Sequence, residues 1–342
     1  MTNELKLLQK LCNSYGISGD ESAVRNLILE EITPFATEIK VDKLGNIIAF
    51  KKGASRPAKK LMISAHMDEV GFVVTHITDD GLLKFSSVGG INSSAVCGKT
   101  VVVGKQQIPG VIGVQPVHLL NAEERQKSLP IDELYIDIGA DNKNEALSYV
   151  SLGDSVCFSA NFKLENNMIK SKAIDDRAGC LILVNLIKQD LPFDMYFTFV
   201  VQEEVGLRGA RVAAFSVSPD VAIVVEATTA ADIKGTPPEK QVCRLGEGAV
   251  IAFMDKSTIY DKSSYDLALK LAKENNIKVQ VKSLVAGGND AGAIHVSRKG
   301  VKTLAVSLPC RYLHTACGMI CTYDIIATQD LVQRLAENLC VN

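Results

Sequence analysis

The sequence predicts an α/β fold in which a mainly parallel, mixed sheet is sandwiched by helices and interrupted by an inserted small β-barrel domain. Strand-like apolar runs alternate with helical patterns at the start and in the second half of the chain, which is typical of a sheet covered on both faces. Between them, short strand-like runs follow one another between glycines, which favours a barrel. We predict an α/β domain over residues 1–68 and 160–342 and a β-rich insertion over 69–159.

The first part of the chain contains two helical patterns and two strand-like runs. Apolar residues recur at three- and four-residue steps over 4–16 and again over 18–35, where Pro34 ends the pattern. An N-cap signal at Ser18 or Asp20 predicts where the second helix begins. The strand-like runs lie at residues 46–53 and 59–66. The second run ends at a histidine, His66, which becomes important below.

The predicted insertion contains five strand-like runs separated by turn residues. They lie at residues 70–77, 81–90, 99–114, 133–140 and 153–160. A polar segment at 118–130 interrupts them, and we expect it to form a short helix or a loop. Close spacing of short strands with glycine-containing turns predicts an all-β module.

Alternation of strands and helices returns after residue 170. The predicted helices lie at 175–189, 207–215, 263–276 and 324–340, and the predicted strands at 194–202, 221–226 and 302–310. The helix at 263–276 is amphipathic, because its apolar residues repeat at helical spacing. Its predicted apolar face consists of Tyr265, Leu267, Ala268, Leu271 and Ala272.

Composition gives no support for several classes of partner. The chain has 37 Lys and Arg residues against 39 Asp and Glu, so the net charge is −2, which does not favour nucleic acid or an anionic membrane as a partner. No apolar stretch approaches the roughly 18 residues of a membrane span. The first residues also lack the pattern of a secretory signal.

The nine cysteines indicate a reducing compartment. They include no CxxC pair, and the closest group, Cys310, Cys317 and Cys321, does not have the spacing of a structural zinc site. We expect most of them to be buried or free thiols. Free thiols in this number are typical of a protein of the cytoplasm.

Residue types that bind metal ions recur where the predicted strands end. In open α/β sheets, ligands bind beyond the carboxyl ends of the strands. Imidazole and carboxylate groups together suit zinc, cobalt or manganese. The sequence therefore predicts a site for one or two divalent metal ions. The candidate residues are His66, Asp68, Asp175, Glu203, Glu204, Glu226 and His314.

Two adjacent glutamates could have different roles at this site. On an extended chain, Glu203 and Glu204 would point to opposite sides, so that one could bind a metal ion while the other acts as a base. Asp68 could orient His66 and fix its tautomer. Taken singly, each feature has a structural alternative, such as a solvated glutamate pair or an N-cap at Asp175.

Six segments resemble one known family. The sequences "AHMDEVGF", "KAIDDRAG", "VQEEVGLRGA", "VVEATTA", "GGNDAGAI" and "RYLHT" resemble the glutamyl-aminopeptidase and deblocking-aminopeptidase family, the TET-type dinuclear metallopeptidases. The resemblance covers nearly the whole chain, and the segments occur in the order of the family. It implies a zinc-peptidase-like fold and an aminopeptidase that hydrolyses N-terminal residues from short peptides.

The resemblance also implies a ligand set for two metal ions per subunit, Zn²⁺ or Co²⁺ with Mn²⁺ possible. His66, Asp175 and Glu226 would hold one ion. Asp175 would bridge to the second ion, which Glu204 and His314 would hold as well. Members of the family commonly have aspartate at the position of Glu226, and this chain departs from that pattern.

The same resemblance implies roles for other residues. Glu203 would be the general base for a water activated by the two metal ions, and Asp68 would support His66. Asp176 and Arg177 look structural, and Asn289 stands where the family often has Thr or Ser. The inserted domain would mediate dimers, which would assemble into a hollow dodecamer.

Three alternatives remain open. A related dinuclear hydrolase, either a carboxypeptidase or an N-acyl amide deacylase, would use a similar centre, and Glu226 keeps this alternative open. An endoglucanase is less favoured, because the chain has no Trp and only 6% aromatic residues. An inactive scaffold is less favoured because every proposed position holds a competent side chain. The remaining histidines, His76, His118 and His295, are expected to be structural or solvent-facing.

Overall fold

The computed structural model describes residues 1–114, 116, 118 and 129–341, and within them it contains eight α-helices and seventeen strands. The helices are α1 (Asn3–Asn13), α2 (Ser22–Ile32), α3 (Lys143–Tyr149), α4 (Ile174–Ile187), α5 (Arg208–Val217), α6 (Lys262–Glu274), α7 (Ala291–Ile294) and α8 (Thr322–Leu339). The strands of the N-terminal half are β1 (Glu38–Val41), β2 (Ile47–Lys51), β3 (Leu61–His66), β4 (Gly71–Ile77), β5 (Leu83–Val88), β6 (Thr100–Val103), β7 (Ile108–Gly113), β8 (Tyr135–Asp137) and β9 (Ser155–Phe158). The remaining strands are β10 (Lys163–Glu165), β11 (Met168–Ser171), β12 (Met195–Val200), β13 (Val221–Thr229), β14 (Ala249–Ile251), β15 (Val279–Val281), β16 (Lys302–Cys310) and β17 (Gly318–Cys321).

Eight strands form one mixed sheet in the order β1-β2-β12-β3-β13-β16-β14-β15. The four central strands, β12, β3, β13 and β16, run parallel to one another. Their carboxyl ends therefore meet at one edge of the sheet, as the predicted fold class requires. The mainly parallel, mixed sheet predicted from the sequence is confirmed.

Helices cover this sheet and give it a continuous apolar core. All six residues of β3 are buried, and α4 is buried along nearly its whole length. Helix α4 packs against β3 and β13, while α5 packs against β3 and β12. Strands that are apolar throughout, rather than alternating, are expected when both faces of a parallel sheet are covered.

The inserted module is a closed six-stranded barrel in the order β4-β5-β8-β7-β6-β9. It has an apolar core of its own, in which the ring of Phe72 lies edge-on to Phe85 at 4.9 Å and to Phe158 at 5.5 Å. The predicted inserted barrel is thus confirmed as an architecture, whereas the boundaries 69–159 remain a prediction. Most of the polar segment at 118–130 lies outside the described residues.

The predicted N-cap of the second helix is wrong. Helix α2 begins after Glu21, and no side chain caps its first turn. The hydroxyl of Ser18 instead donates a hydrogen bond to Asp68 at 2.6 Å, and the carboxylate of Asp20 accepts one from Ser155 at 2.8 Å. Both side chains therefore serve contacts with distant residues rather than the local helix end.

The structure differs from the prediction at the end of strand β13 and agrees with it on the apolar face of helix α6. Strand β13 continues to Thr229, so Glu226 lies inside the strand and not at its end. The predicted apolar face of α6 is confirmed, because Ala268, Leu271 and Ala272 are buried and the other two residues pack partly against the core. Within the described part of the chain, no helix is long and apolar enough to cross a membrane.

Candidate metal centre

Side chains from five segments converge beyond the carboxyl ends of the central strands. His66 is the last residue of β3 and pairs in register with Val200, the last residue of β12. The neighbouring strand β13 carries Glu226. The loop after β12 carries Glu203 and Glu204, the start of α4 carries Asp175, and the loop after β16 carries His314.

One group of potential ligands surrounds His66. Its Nε2 atom lies 3.2 Å from Oδ1 of Asp175 and 3.3 Å from Oε1 of Glu226. His66 and Glu226 are buried. The three side chains could hold one metal ion, because their ligand atoms lie within 4.8 Å of one another.

A second group surrounds His314. Its Nε2 atom lies 3.2 Å from Oε2 of Glu204 and 3.5 Å from Oδ2 of Asp175. These three residues form another potential ligand set. Asp175 belongs to both groups, and each of its oxygens faces a different histidine. Its position between the two sets is that of a carboxylate able to bridge two ions.

The orientation of both histidines favours metal binding over simple ion pairing. Nδ1 of His66 lies 3.1 Å from the carbonyl oxygen of Asp68, and Nδ1 of His314 lies 3.0 Å from that of Gly90. A carbonyl oxygen only accepts, so each Nδ1 donates and the neutral ring presents an unprotonated Nε2. Histidine ligands of metal ions are commonly oriented by this second hydrogen bond.

The chemistry and spacing of these donors fit divalent metal ions. An unprotonated Nε2 facing carboxylate oxygens is unfavourable unless a proton or a cation lies between them. Oε2 of Glu226 is also buried and lacks a hydrogen-bond partner among the described residues. Two ligands about 2.1 Å from a tetrahedral ion are about 3.4 Å apart, close to the spacing found around both histidines.

Without a cation, protons would have to balance the negative charge of the carboxylates around the two histidines. Although burial lowers the pKa of His66, the charge of Glu226 and the hydrogen bond to Asp175 raise it well above its usual value. The hydrogen bond to Asp175 raises the pKa of His314 to about 9. Burial opposes ionisation of Asp175, but the two histidines hold its pKa well below the usual range. The site is thus built around concentrated negative charge.

The adjacent glutamates differ from the sequence-based expectation. They do not lie on an extended strand with side chains on opposite sides, because Gln202 adopts a left-handed conformation (φ 57°) and the chain turns after β12. Both Glu203 and Glu204 line the same cavity. Burial raises the pKa of Glu203 to about 7 and that of Glu204 to about 8, and the charge of Asp175 adds to both shifts.

Asp68 fixes the loop that carries these glutamates. Its carboxylate accepts hydrogen bonds from the backbone N–H groups of Glu203 at 3.0 Å and Glu204 at 3.1 Å, and from the hydroxyl of Ser18. The carboxylate also lies 3.5 Å from Nδ1 of His66. Burial would raise the pKa of Asp68, but the hydrogen bond with His66 and the others hold it low. Asp68 therefore links a histidine of the centre to the glutamate loop.

The centre opens into a cavity of about 670 Å³. Its walls include Asp175, Glu203, Glu204, Glu226 and His314, together with small and apolar residues such as Ala227, Thr228, Val242 and Leu313. The structure thus brings together all five predicted ligands and the predicted base, with Asp68 directly behind them.

Sequence reasoning missed several residues that support the site. Ser18 and Gly90 contact the centre through hydrogen bonds, but a serine near a helix and a glycine in a turn gave no signal of this. Lys282, which lines the cavity, was also missed, although it lies only a few residues before the segment "GGNDAGAI" that carries part of the resemblance. The predicted structural role of Arg177 agrees with its contacts, since it is buried and donates to backbone carbonyls of Leu11 and Gly16.

Comparison with known proteins places this chain in a family. A family model described as M42 glutamyl aminopeptidase matches residues 45–331. An aminopeptidase candidate of Acetivibrio thermocellus is 42% identical over 336 residues, which cover 98% of this chain and 98% of that protein. The lysyl aminopeptidase of Pyrococcus furiosus is 33% identical over 343 residues, which cover 98% of this chain and 97% of that protein.

A solved structure shows the same similarity in three dimensions. The TET1 peptidase of Pyrococcus horikoshii, which can assemble into a tetrahedron or a large octahedral shell, superposes with a TM-score of 0.86. It is 34% identical, and the match covers 99% of this chain and 100% of that chain.

Proposed function

This chain belongs to the M42 glutamyl aminopeptidase family, and we propose that its metal centre removes N-terminal residues from short peptides with a free N-terminus. The observation that carries the proposal is the arrangement of Asp175, whose two carboxylate oxygens each face a different histidine. Such a carboxylate, with Glu203 lining the same cavity, provides both a two-ion site and a base.

The ligands divide into two sets that share one residue. His66, Asp175 and Glu226 would hold one ion, and Asp175, Glu204 and His314 the other. Zinc or cobalt fits this nitrogen and oxygen donor set, and manganese is a further candidate. When bound, such ions supply polarisation of the scissile carbonyl and a lowered pKa of water.

Glu203 is the general base and acid of the proposed reaction. It lines the cavity, and although its ligand atom also lies within 4.8 Å of those of His66 and Glu204, neither of the two sets that share Asp175 includes it. Burial places its pKa at about 7, where a carboxylate can take a proton from the attacking water and return it to the leaving amine. Asp68 positions this group, because it holds the backbone N–H of Glu203.

The charge of the cavity favours a peptide N-terminus. Asp175, Glu203, Glu204 and Glu226 all line it, and Glu203 is the carboxylate that neither proposed ligand set uses to bind an ion. An α-ammonium group is attracted to such a carboxylate, and an N-acylated peptide lacks that charge. Related proteins differ in the N-terminal residue for which they are named, glutamyl for the family and lysyl for the relative in Pyrococcus furiosus, so the family alone does not define the preference of this chain.

The proposed enzyme is an oligomer of the cytoplasm. The similar TET1 peptidase forms closed shells, and we propose that this chain forms dimers through its barrel and a dodecamer from those dimers. Its balanced charge and free cysteines are typical of a cytoplasmic protein.

The proposal is tested with protein that has been stripped by a chelator and resupplied with Zn²⁺, Co²⁺ or Mn²⁺. A panel of aminoacyl-p-nitroanilides measures release of the N-terminal residue. We expect metal-dependent release, and we expect Glu203→Gln to lower kcat by a factor of about 10² to 10⁴, the usual contribution of a general acid–base. Glu239→Gln is the matched control, because Glu239 is exposed and does not line the cavity.

Other outcomes would assign the centre to another reaction. Cleavage of N-acyl amino acids or of C-terminal residues, without release from free-amino substrates, would favour the deacylase or carboxypeptidase. Cleavage of a cellulose oligosaccharide alone would favour the endoglucanase. Full activity of Glu203→Gln would remove Glu203 from its proposed role.

A further inference from the structure

The loop that carries Glu203 and Glu204 is held by side chains from outside it. Four consecutive backbone N–H groups follow strand β12, and each donates to a side-chain oxygen that lies between 135 and 181 residues away in the sequence. In chain order, the donors and acceptors are Val201 with Asn46, Gln202 with Glu21, Glu203 with Asp68, and Glu204 with Asp68. The position of the proposed base therefore depends on distant side chains.

Gln202 is the residue at which the chain turns after β12. Its backbone is left-handed, with a φ of 57°, a conformation that residues other than glycine seldom adopt. Such a conformation costs free energy and persists only where surrounding contacts hold it. The N–H of Gln202 donates to Oε1 of Glu21 at 3.2 Å, and its carbonyl accepts from the N–H of Arg208, the first residue of α5, at 3.2 Å. Glu21 thus holds the residue directly before the base.

Glu21 is buried without capping the helix that follows it. It is 3% exposed, and its side chain makes no capping hydrogen bond to the first turn of α2. Oε1 instead accepts from the N–H of Gly19 at 2.7 Å and from Gln202. Burial raises the pKa of Glu21, the hydrogen bond from Gly19 counteracts this shift, and the charge of Asp68 adds to it. Because glutamate is almost never buried without a partner, the contact with the loop accounts for a carboxyl at this position.

The segment that presents Glu21 is itself anchored. The carbonyl of Glu21 accepts from the N–H of Arg25 at 2.9 Å in the first turn of α2, and Val24 of that helix is completely buried. Ser18, in the same segment, donates to Asp68 at 2.6 Å. The segment therefore supports the loop at two places, through Asp68 and directly through Glu21.

We propose that Glu21 is a positioning residue of the reaction, which holds the N–H of Gln202 so that Glu203 and Glu204 keep their places in the metal centre. The inference rests on the proposed function for the role of Glu203. Glu21 does not line the cavity, so it acts through the loop and not on the substrate. Loss of the acceptor leaves a buried N–H unpaired, and supports of this kind contribute about 10- to 100-fold to activity or to metal affinity.

The first measurement compares kcat and KM for a leucyl p-nitroanilide in the metal-loaded wild type, Glu21→Leu and Glu21→Gln. Leucine removes the acceptor, whereas glutamine keeps an acceptor oxygen without the charge. We expect Glu21→Leu to lower kcat about 10- to 100-fold with KM within about threefold, because Glu21 supports the base and not substrate binding. Glu21→Gln should keep kcat within about threefold of the wild type, since the N–H of Gln202 retains its acceptor.

The second measurement does not depend on activity. Competition with a fluorescent chelator gives the affinity of the metal-free protein for Zn²⁺. Of the two proposed ligand sets that share Asp175, only one contains Glu204. We therefore expect Glu21→Leu to raise the Kd of one ion about 10- to 100-fold and to leave that of the other unchanged. Glu30→Leu is the matched control, because Glu30 is an exposed glutamate of α2, and both measurements should match the wild type.

Unchanged kcat and metal affinity in Glu21→Leu would overturn the inference, and so would a loss confined to KM. An equal loss in Glu21→Gln would also overturn it, because the effect would then belong to the charge and not to the held N–H. Glu21→Ala gives the same comparison if the leucine variant does not fold. If the wild type bound two ions but released no residue, the proposed function would fail, and the metal affinities would still decide the inference. A wild type that neither binds ions nor releases a residue would remove both.

Discussion

At the scale of single residues, hydrogen bonds made by backbone carbonyls decide what the two histidines can do. Asp68 and Gly90 accept from the Nδ1 atoms, so Nε2 of His66 and of His314 faces the carboxylates. This arrangement fixes the tautomer of each ring, and at His66 the carboxylate of Asp68 also lies 3.5 Å from Nδ1. Asp175 then connects the two histidines, because each of its carboxylate oxygens faces one of them.

The pKa of Glu203 predicts the pH dependence of the reaction. A general base must be deprotonated, and the deprotonated fraction of a carboxyl with a pKa of about 7 rises as pH increases through that value. Positive charge from bound ions lowers the pKa of a neighbouring carboxyl, so the rise should be centred at or below about pH 7. We therefore expect kcat/KM for a leucyl substrate to increase with pH on the acidic side and then level off.

The measurement is a kcat/KM profile from about pH 5 to about pH 9 at saturating metal concentration, since the apparent pKa in kcat/KM belongs to the free enzyme. Glu239→Gln should reproduce the wild-type profile, because Glu239 is exposed. An acidic limb that rises as the pH falls would contradict the assignment of Glu203 as the base.

At the scale of secondary-structure elements, a buried charge network joins α1 to α4, the helix that carries Asp175. Glu69 accepts a hydrogen bond from Lys172 at 2.6 Å and contacts Arg177 at 3.4 Å, and all three side chains are almost completely buried. Lys172 also donates to the carbonyl of Ser14, beyond the end of α1. The network thus fixes the start of α4 relative to the N-terminal helix.

Removing one member of this network should lower the free energy of unfolding. Lys172→Met leaves Glu69 with only part of its compensating charge, and breaking a buried ion pair in this way lowers the free energy of unfolding by about 3–5 kcal/mol. Lys163→Met is the control, because Lys163 is exposed in β10. Urea denaturation of both variants measures the difference. Equal midpoints for the two variants would show that the network contributes no net stability.

At the scale of the whole molecule, the barrel is part of the site as well as a separate module. The loop after β5 brings Gly90 to His314 and places Gly89 beside Glu204, where an added Cβ would lie 3.3 Å from the Cβ of that glutamate. The inserted module also exposes large apolar side chains beside the barrel, Leu147 at 48% on helix α3 and Leu152 at 62% between α3 and β9. Exposed apolar residues of this size suit a surface that is covered in an assembly.

The proposed assembly gives a prediction for the mass in solution. Twelve copies of the 36.9 kDa chain would have a mass of about 440 kDa by light scattering. If the barrel mediates the dimers, Leu152→Asp should reduce the mass, because it introduces a charge into an apolar contact. Leu44→Asp, at an exposed leucine of the α/β domain, is the control. A monomeric wild type, or an unchanged mass for Leu152→Asp, would contradict this use of the barrel.

The sequence by itself determined the fold class, the inserted barrel, most helices and strands, and the residue types of a metal centre. Each of these follows from patterns within a few neighbouring residues, such as the apolar face of α6 or the uniformly apolar run of β3. The family resemblance then matched single residues to roles in one reaction. Local patterns failed where a side chain had a distant partner, as with Ser18, which binds Asp68 instead of capping a helix.

Only the tertiary structure decided how those residues meet. Asp175 reaches His66 across 109 residues of sequence, and Gly90 reaches His314 across 224. Such contacts arise because parallel strands bring their carboxyl ends to one edge, and no local pattern records which loops will meet there. The turn at Gln202 that directs both glutamates into one cavity, and the position of Lys282 on its wall, were decided in the same way.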